Sequence, residues 1–147
     1  MSVAVGINSR LDESQACYLS AFLPHLEEWN AHRARIAGMY DDALASCAGA
    51  RPVRRPHDSV HHLYVIHAER RERLRRYLAE RDIATSIHYP VPLHLHPAFA
   101  DCGAKRGDLP HAERAARQIL SLPLWPYLPD SDVLRVAEAV RDFYNRC

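Results

Sequence analysis

Apolar residues fall into a helical step near the start of the chain. Tyr18, Phe22, Leu26, Trp29, Ile36, Tyr40 and Leu44 are separated by three, four or seven positions, which places them on one face of a helix. Arg33 interrupts the stripe, but its aliphatic stem can lie along it. Pro24 falls inside the run, so the pattern predicts a helix over residues 12–22, a kink or restart with Pro24 in a first turn, and continuation to about residue 46. Gly49 is the expected terminator. Trp29 and Tyr40 read as core residues.

Beyond this helix the pattern alternates. Residues 51–58 carry two prolines and three arginines and read as a surface loop. His61-His62-Leu63-Tyr64-Val65-Ile66 has the β-branched and aromatic content of a strand, with His61 and His62 in packing roles. Residues 69–81 are strongly charged with Leu74, Tyr77 and Leu78 on one side, predicting an amphipathic helix. A second short strand is expected over 83–87. Residues 110–118 should be helical, with Asp108 near the cap and Pro110 early in the first turn. A third strand over 119–122 is halted by Pro123 and Pro126. A last helix over 130–144 has a stripe of Val133, Leu134, Ala137, Val140 and Phe143/Tyr144. Residues 1–10 suit a loop or the stub of a strand. There is no internal repeat or low-complexity linker. The expected fold is α+β, a small three-stranded sheet packed by helices, with a long kinked N-terminal helix.

Composition narrows the classes. The 147 residues suffice for one domain, which would bury roughly 68–70% of its unfolded surface. A net charge of +1 gives no electrostatic case for nucleic acid. The four cysteines, Cys17, Cys47, Cys102 and Cys147, include no Cys-x-x-Cys, which argues against a disulfide framework or a cysteine zinc site. No apolar run approaches the ~20 residues of a membrane span. The N-terminus lacks the basic-then-apolar order of a secretory leader. The default expectation is a reduced, cytoplasmic protein with no membrane partner.

The segment Ile83-Ala-Thr-Ser-Ile-His-Tyr-Pro-Val-Pro-Leu-His-Leu-His96 holds most of the candidate chemistry. It sets His88, Tyr89, His94 and His96 on a backbone stiffened by Pro90 and Pro92. Such a segment can aim side chains at a ligand, or it can simply end a strand with satisfied polar atoms. His88, His94 and His96 could also ligate a metal, since His-x-His in extended chain places both rings on one face. The nearby helpers are only Asp101 and Cys102, short of the four well-spaced ligands of a structural zinc site, so no metal is expected. Asn8 and Arg10, taken alone, read as a turn asparagine beside a surface arginine.

Together these residues form a recognisable pair of motifs. Gly6-Ile7-Asn8-Ser9-Arg10-Leu11-Asp12-Glu13 with Gln15-Ala16, and the His-Tyr-Pro-x-Pro-x-His run from His88 to His94, resemble the C-terminal part of the DegT/DnrJ/EryC1/StrS family of pyridoxal-phosphate-dependent sugar aminotransferases. The likeness covers nearly the whole chain, from about residue 5 to 144. It implies that residues 1–10 are the stub of a large domain and 11–147 the small domain of a type I aminotransferase. By the same likeness, Asn8 and Arg10 would contact the cofactor phosphate across a dimer interface. His88, Tyr89 and His94 would line the sugar-nucleotide side of the site, while His96 stands where the family often differs. The reaction implied moves an amino group, usually from glutamate, to a nucleotide-linked keto-deoxysugar, for polysaccharides or glycosylated natural products. The implied partners are a second subunit or the large domain.

One count separates this chain from a complete enzyme of that kind. Of its 19 Lys+Arg residues, 18 are arginine. Pyridoxal phosphate chemistry needs a lysine amine in a desolvating pocket, and Lys105 lies in Cys102-Gly-Ala-Lys-Arg-Gly-Asp108, a run with strong turn character. No catalytic residue is therefore expected here, and the chain should be inactive alone. A non-catalytic binding or assembly module derived from the family is the alternative.

Overall fold

A computed structural model describes residues 11–56 and 58–145; Asn8, Arg10 and the expected stub lie outside them. Helix α1 spans Glu13–Phe22 and begins where the Asp12 carboxylate accepts the Gln15 amide at 2.8 Å, the expected use of an acidic N-cap. A 3-10 turn, Leu23–His25, takes up Pro24, and α2 follows over Leu26–Leu44. The restart at Pro24 is thus as the sequence predicts.

The apolar stripe divides at this joint. Ile36, Tyr40 and Leu44 are fully buried, whereas no residue of α1 is. Trp29, expected in the core, is only partly covered. Its Nε1 donates to the Tyr127 hydroxyl at 2.9 Å, tying α2 to the turn before the last helix.

The sheet contains β1 (Ala50–Pro52), β2 (Tyr64–Ala68) and β3 (Ile119–Leu122), in the order β1-β2-β3 and antiparallel throughout. Between them lie α3 (Arg71–Ala79) and α4 (Pro110–Gln118), and α5 (Asp130–Asn145) closes the chain. Three strands are present, but their membership differs from expectation. β1 arises inside the stretch read as terminator and loop. It lies at the sheet edge, where Pro52 loses no ladder donor that matters. β2 starts late because His61 has φ 49°, a left-handed turn that no strand accommodates. The expected strand at 83–87 reduces to a single bridge, Ser86 to Ser121. Ile83 instead donates its amide to Leu78 O at 3.0 Å, closing the end of α3, with Asp82 at φ 56° just before it.

Core packing follows from β2, whose Tyr64, Ile66 and Ala68 face one way. Against them lie Ile36, Tyr40 and Leu44 of α2, Leu74 and Leu78 of α3, and Val133, Ala137 and Val140 of α5. Burial of each such side chain contributes roughly 1.5–3 kcal/mol. Leu134, expected in the α5 stripe, is exposed; Val136 and Ala139 are buried instead. α4 covers the opposite face of the sheet, where Arg51 and His67 look across a cleft of about 540 Å3 to His111, Arg114 and Gln118.

Asp108 stands next to Leu109, the cap position of α4, and its Oδ2 accepts the Lys105 amide at 2.7 Å, closing the preceding turn. Gly49 does not terminate α2, which ends with Ala45 at its C-cap. A Cβ on Gly49 would overlap the ring of Tyr144, so close approach is what requires glycine there. Among the described residues, no helix is long and apolar enough to cross a membrane.

Candidate functional site

The proline-rich segment crosses the free edge of β3 and then runs along α4. It is fastened at its start by Ser86, which exchanges backbone hydrogen bonds with Ser121 at 3.2 and 2.8 Å. The His88 Nδ1 lies 3.0 Å from the Ser121 hydroxyl. That contact fixes the ring and leaves the other nitrogen for a ligand. Tyr89 follows through a cis peptide. Its ring stands edge-on to His88 with centroids 5.5 Å apart and is 71% exposed. A fixed imidazole beside an open phenol offers hydrogen bonds to hydroxyl or phosphate oxygens and a ring face for a sugar or base.

Beyond Tyr89 the chain forms one wall of an apolar groove of about 750 Å3. Pro90, Pro92 and Leu93 face Leu109, Ala112 and Ile119 across it. His94 turns into this wall. Its Nε2 is 3.2 Å from Glu113 Oε1, and both side chains are 7% exposed. His96 Nε2 lies 3.2 Å from the Val91 carbonyl. The three histidines considered as metal ligands therefore meet three separate partners. Among the described residues no group of three His, Cys, Asp or Glu side chains could hold a metal ion.

Glu113 is the residue that the sequence reading missed. It is buried on α4 and also accepts the Gly107 amide at 2.6 Å. That amide, and then His94 and Arg106, hold its carboxyl below the usual carboxylate range, against burial, which acts the other way. A signal was present: Glu113 sits on a stripe with Leu109, Ala116 and Leu120, a charge where helical spacing calls for an apolar side chain. The ionised carboxylate favours the folded state above the ordinary carboxylate pKa, and its contribution disappears as pH falls through the depressed value. Urea unfolding of the parent and Glu113→Gln should differ at neutral pH and converge in acid. A difference that persists unchanged into acid would mean the charge is not its source.

A second polar cluster has a structural role. Arg55 Nη2 lies 2.7 and 2.6 Å from the two Asp41 oxygens. The Tyr64 hydroxyl donates to the same carboxylate at 2.7 Å. Burial first, and then this hydrogen bond, push the Tyr64 phenol far above its ordinary pKa, so it stays a neutral donor.

The described residues do not fit covalent attachment of an aldehyde cofactor. Lys105 is exposed in the turn before α4, not in a desolvating pocket. Asn8 and Arg10, the expected phosphate contacts, lie outside the described residues.

Residues 1–141 match the model of the DegT/DnrJ/EryC1/StrS aminotransferase family. The chain is 48% identical over 143 residues to a dTDP-3-amino-3,4,6-trideoxy-alpha-D-glucose transaminase of Streptomyces venezuelae, covering 96% of this chain and 38% of that protein. It is 43% identical to a pleiotropic regulatory protein of Geobacillus stearothermophilus, with 96% and 39% coverage. The crystal structure of S. venezuelae DesV in complex with a ketimine intermediate superposes with a TM-score of 0.88 at 46% identity, over 97% of this chain and 39% of that one. The chain thus spans about two-fifths of the length of these relatives.

Proposed function

Because the chain belongs to the DegT/DnrJ/EryC1/StrS aminotransferases, a family dependent on pyridoxal phosphate, we propose that it is the C-terminal portion of a nucleotide-sugar aminotransferase. In this reading the whole enzyme transfers an amino group from glutamate to a nucleoside-diphosphate-linked keto-deoxysugar. The domain that carries the cofactor lysine is supplied by the rest of the enzyme or by a second subunit. This chain contributes Asn8 and Arg10 to the cofactor phosphate, and the wall holding His88, Tyr89 and His94 to the sugar-nucleotide pocket. Residues 1–10 are the end of the large domain and 11–147 the small one. A cytoplasmic setting completes the reading, consistent with unpaired Cys17, Cys47 and Cys102.

The observation that carries this reading is the pairing of His88, oriented by Ser121, with the open ring of Tyr89 on a proline-stiffened rim. The test has two arms. The isolated chain, mixed with pyridoxal phosphate and reduced with borohydride, should give no stoichiometric adduct at Lys105. Co-expressed with the lysine-bearing portion of the S. venezuelae relative, it should restore turnover of a nucleotide-linked sugar. His88→Ala or Tyr89→Ala should then lower that turnover roughly tenfold or more, the loss expected when one or two substrate hydrogen bonds are removed. An adduct at Lys105 formed at low cofactor concentration, or turnover indifferent to both substitutions, would overturn the reading. Association without turnover would favour an assembly module.

A further inference from the structure

The rim that carries Tyr89 has little backbone to hold it. Pro90, Pro92 and Pro97 supply no amide donors. Among the described residues, three turn bonds stay inside the stretch itself: Leu95 to Pro92 O at 3.0 Å, His96 to Leu93 O at 3.0 Å and Phe99 to His96 O at 2.9 Å. His96 Nε2 also turns back onto the segment, to the Val91 carbonyl. Ser86 and His88 fasten the near end to Ser121. At the far end the pair of His94 and Glu113, enclosed in the groove wall, fastens it to α4. Glu113 Oε1 simultaneously holds the Gly107 amide, where the chain passes through φ 100° before α4.

We infer that Glu113 is a positioning residue: it latches His94 and the loop at Gly107 to α4, and so sets where the Tyr89 rim stands. His94 then holds its place in the pocket wall through Glu113. The inference deepens the functional reading, on which the importance of the rim rests, but the latch itself is a property of this chain and can be measured without any substrate.

Native-state hydrogen exchange on the 147-residue chain tests it. Glu113→Ala removes the acceptor shared by His94 and Gly107. It should lower protection of the Gly107, Leu95 and His96 amides by about tenfold or more through local opening, leaving β2 and α5 amides at parent rates after correction for global stability. Glu113→Gln keeps an acceptor oxygen and should retain most of the Gly107 protection. His94→Ala, a milder change should Glu113→Ala not fold, should loosen Leu95 and His96 while leaving Gly107 protected. A uniform fall across all elements would reduce Glu113 to a general stability residue and sink the proposal. So would unchanged protection at Leu95 and His96 in both alanine variants. Neither result would touch the functional reading, which stands or falls on the reconstituted turnover.

Discussion

The isolated chain is expected to sediment as a self-associated species at micromolar concentration, with Phe22→Glu returning it toward a monomer. Tyr18, Leu19, Phe22, Leu23 and Leu26 are between 43% and 68% exposed along α1, the turn after it and the start of α2. No residue of α1 is buried. Contiguous apolar surface of more than a few hundred Å2 is unusual on a soluble monomer. Covering each large side chain recovers roughly 1.5–3 kcal/mol, so four or five together are comparable to a whole domain stability of about 5–15 kcal/mol. In the longer relatives this chain matches only 38% of the length, and the remainder is chain that can provide that cover. Sedimentation velocity with a dye for exposed apolar surface decides the matter. A compact monomer at high micromolar concentration that binds no dye would show that α1 is adapted to water.

Gly49→Ala is expected to destabilise the fold by about 2–3 kcal/mol, lowering the melting temperature by roughly 6–12 °C. The Tyr144 ring lies against the Gly49 backbone and its hydroxyl donates to the Glu69 carbonyl. The Glu69 amide in turn donates to Gly49 O at 2.9 Å. A methyl group at Gly49 must expel that ring, breaking the tie between α5 and the β1–β2 pair. Gly38→Ala is the control. Gly38 lies within α2, and a methyl group added there would meet nothing within 4 Å, so alanine should add about 0.5–1 kcal/mol by helix propensity. Thermal melts of opposite sign for the two variants are the expected result. Equal shifts would show that the Tyr144 contact contributes little.

Helices and the last strand were legible because pattern and punctuation agree. α4 and β3 begin and end at the predicted residues, where Pro110, the switch in period and Pro123 coincide. β1 was not legible, since Ala-Arg-Pro carries no strand propensity and is extended only because β2 needs a partner. The opposite error occurred at 83–87, where strand-like composition gave way to one bridge because the chain had to close α3 and then turn along α4. Of the candidate site, the sequence offers His88 and Tyr89 on a stiff segment, and the structure sets the one against Ser121 and leaves the other exposed. The partner of His94 came from a helix 19 residues away, a pairing that only the fold brings together.

The order of strands in the sheet sets what chain closure the candidate site requires. Pro52 and Ile66, paired across β1 and β2, are 14 residues apart, whereas His67 and Ile119, paired across β2 and β3, are 52 apart. The longer closure costs about 1 kcal/mol more in chain entropy, and contacts of that separation are made slowly. β3 carries Ser121, the residue that orients His88 and bridges to Ser86. The strand with the costlier closure is therefore the one that carries the Ser121 contact to His88.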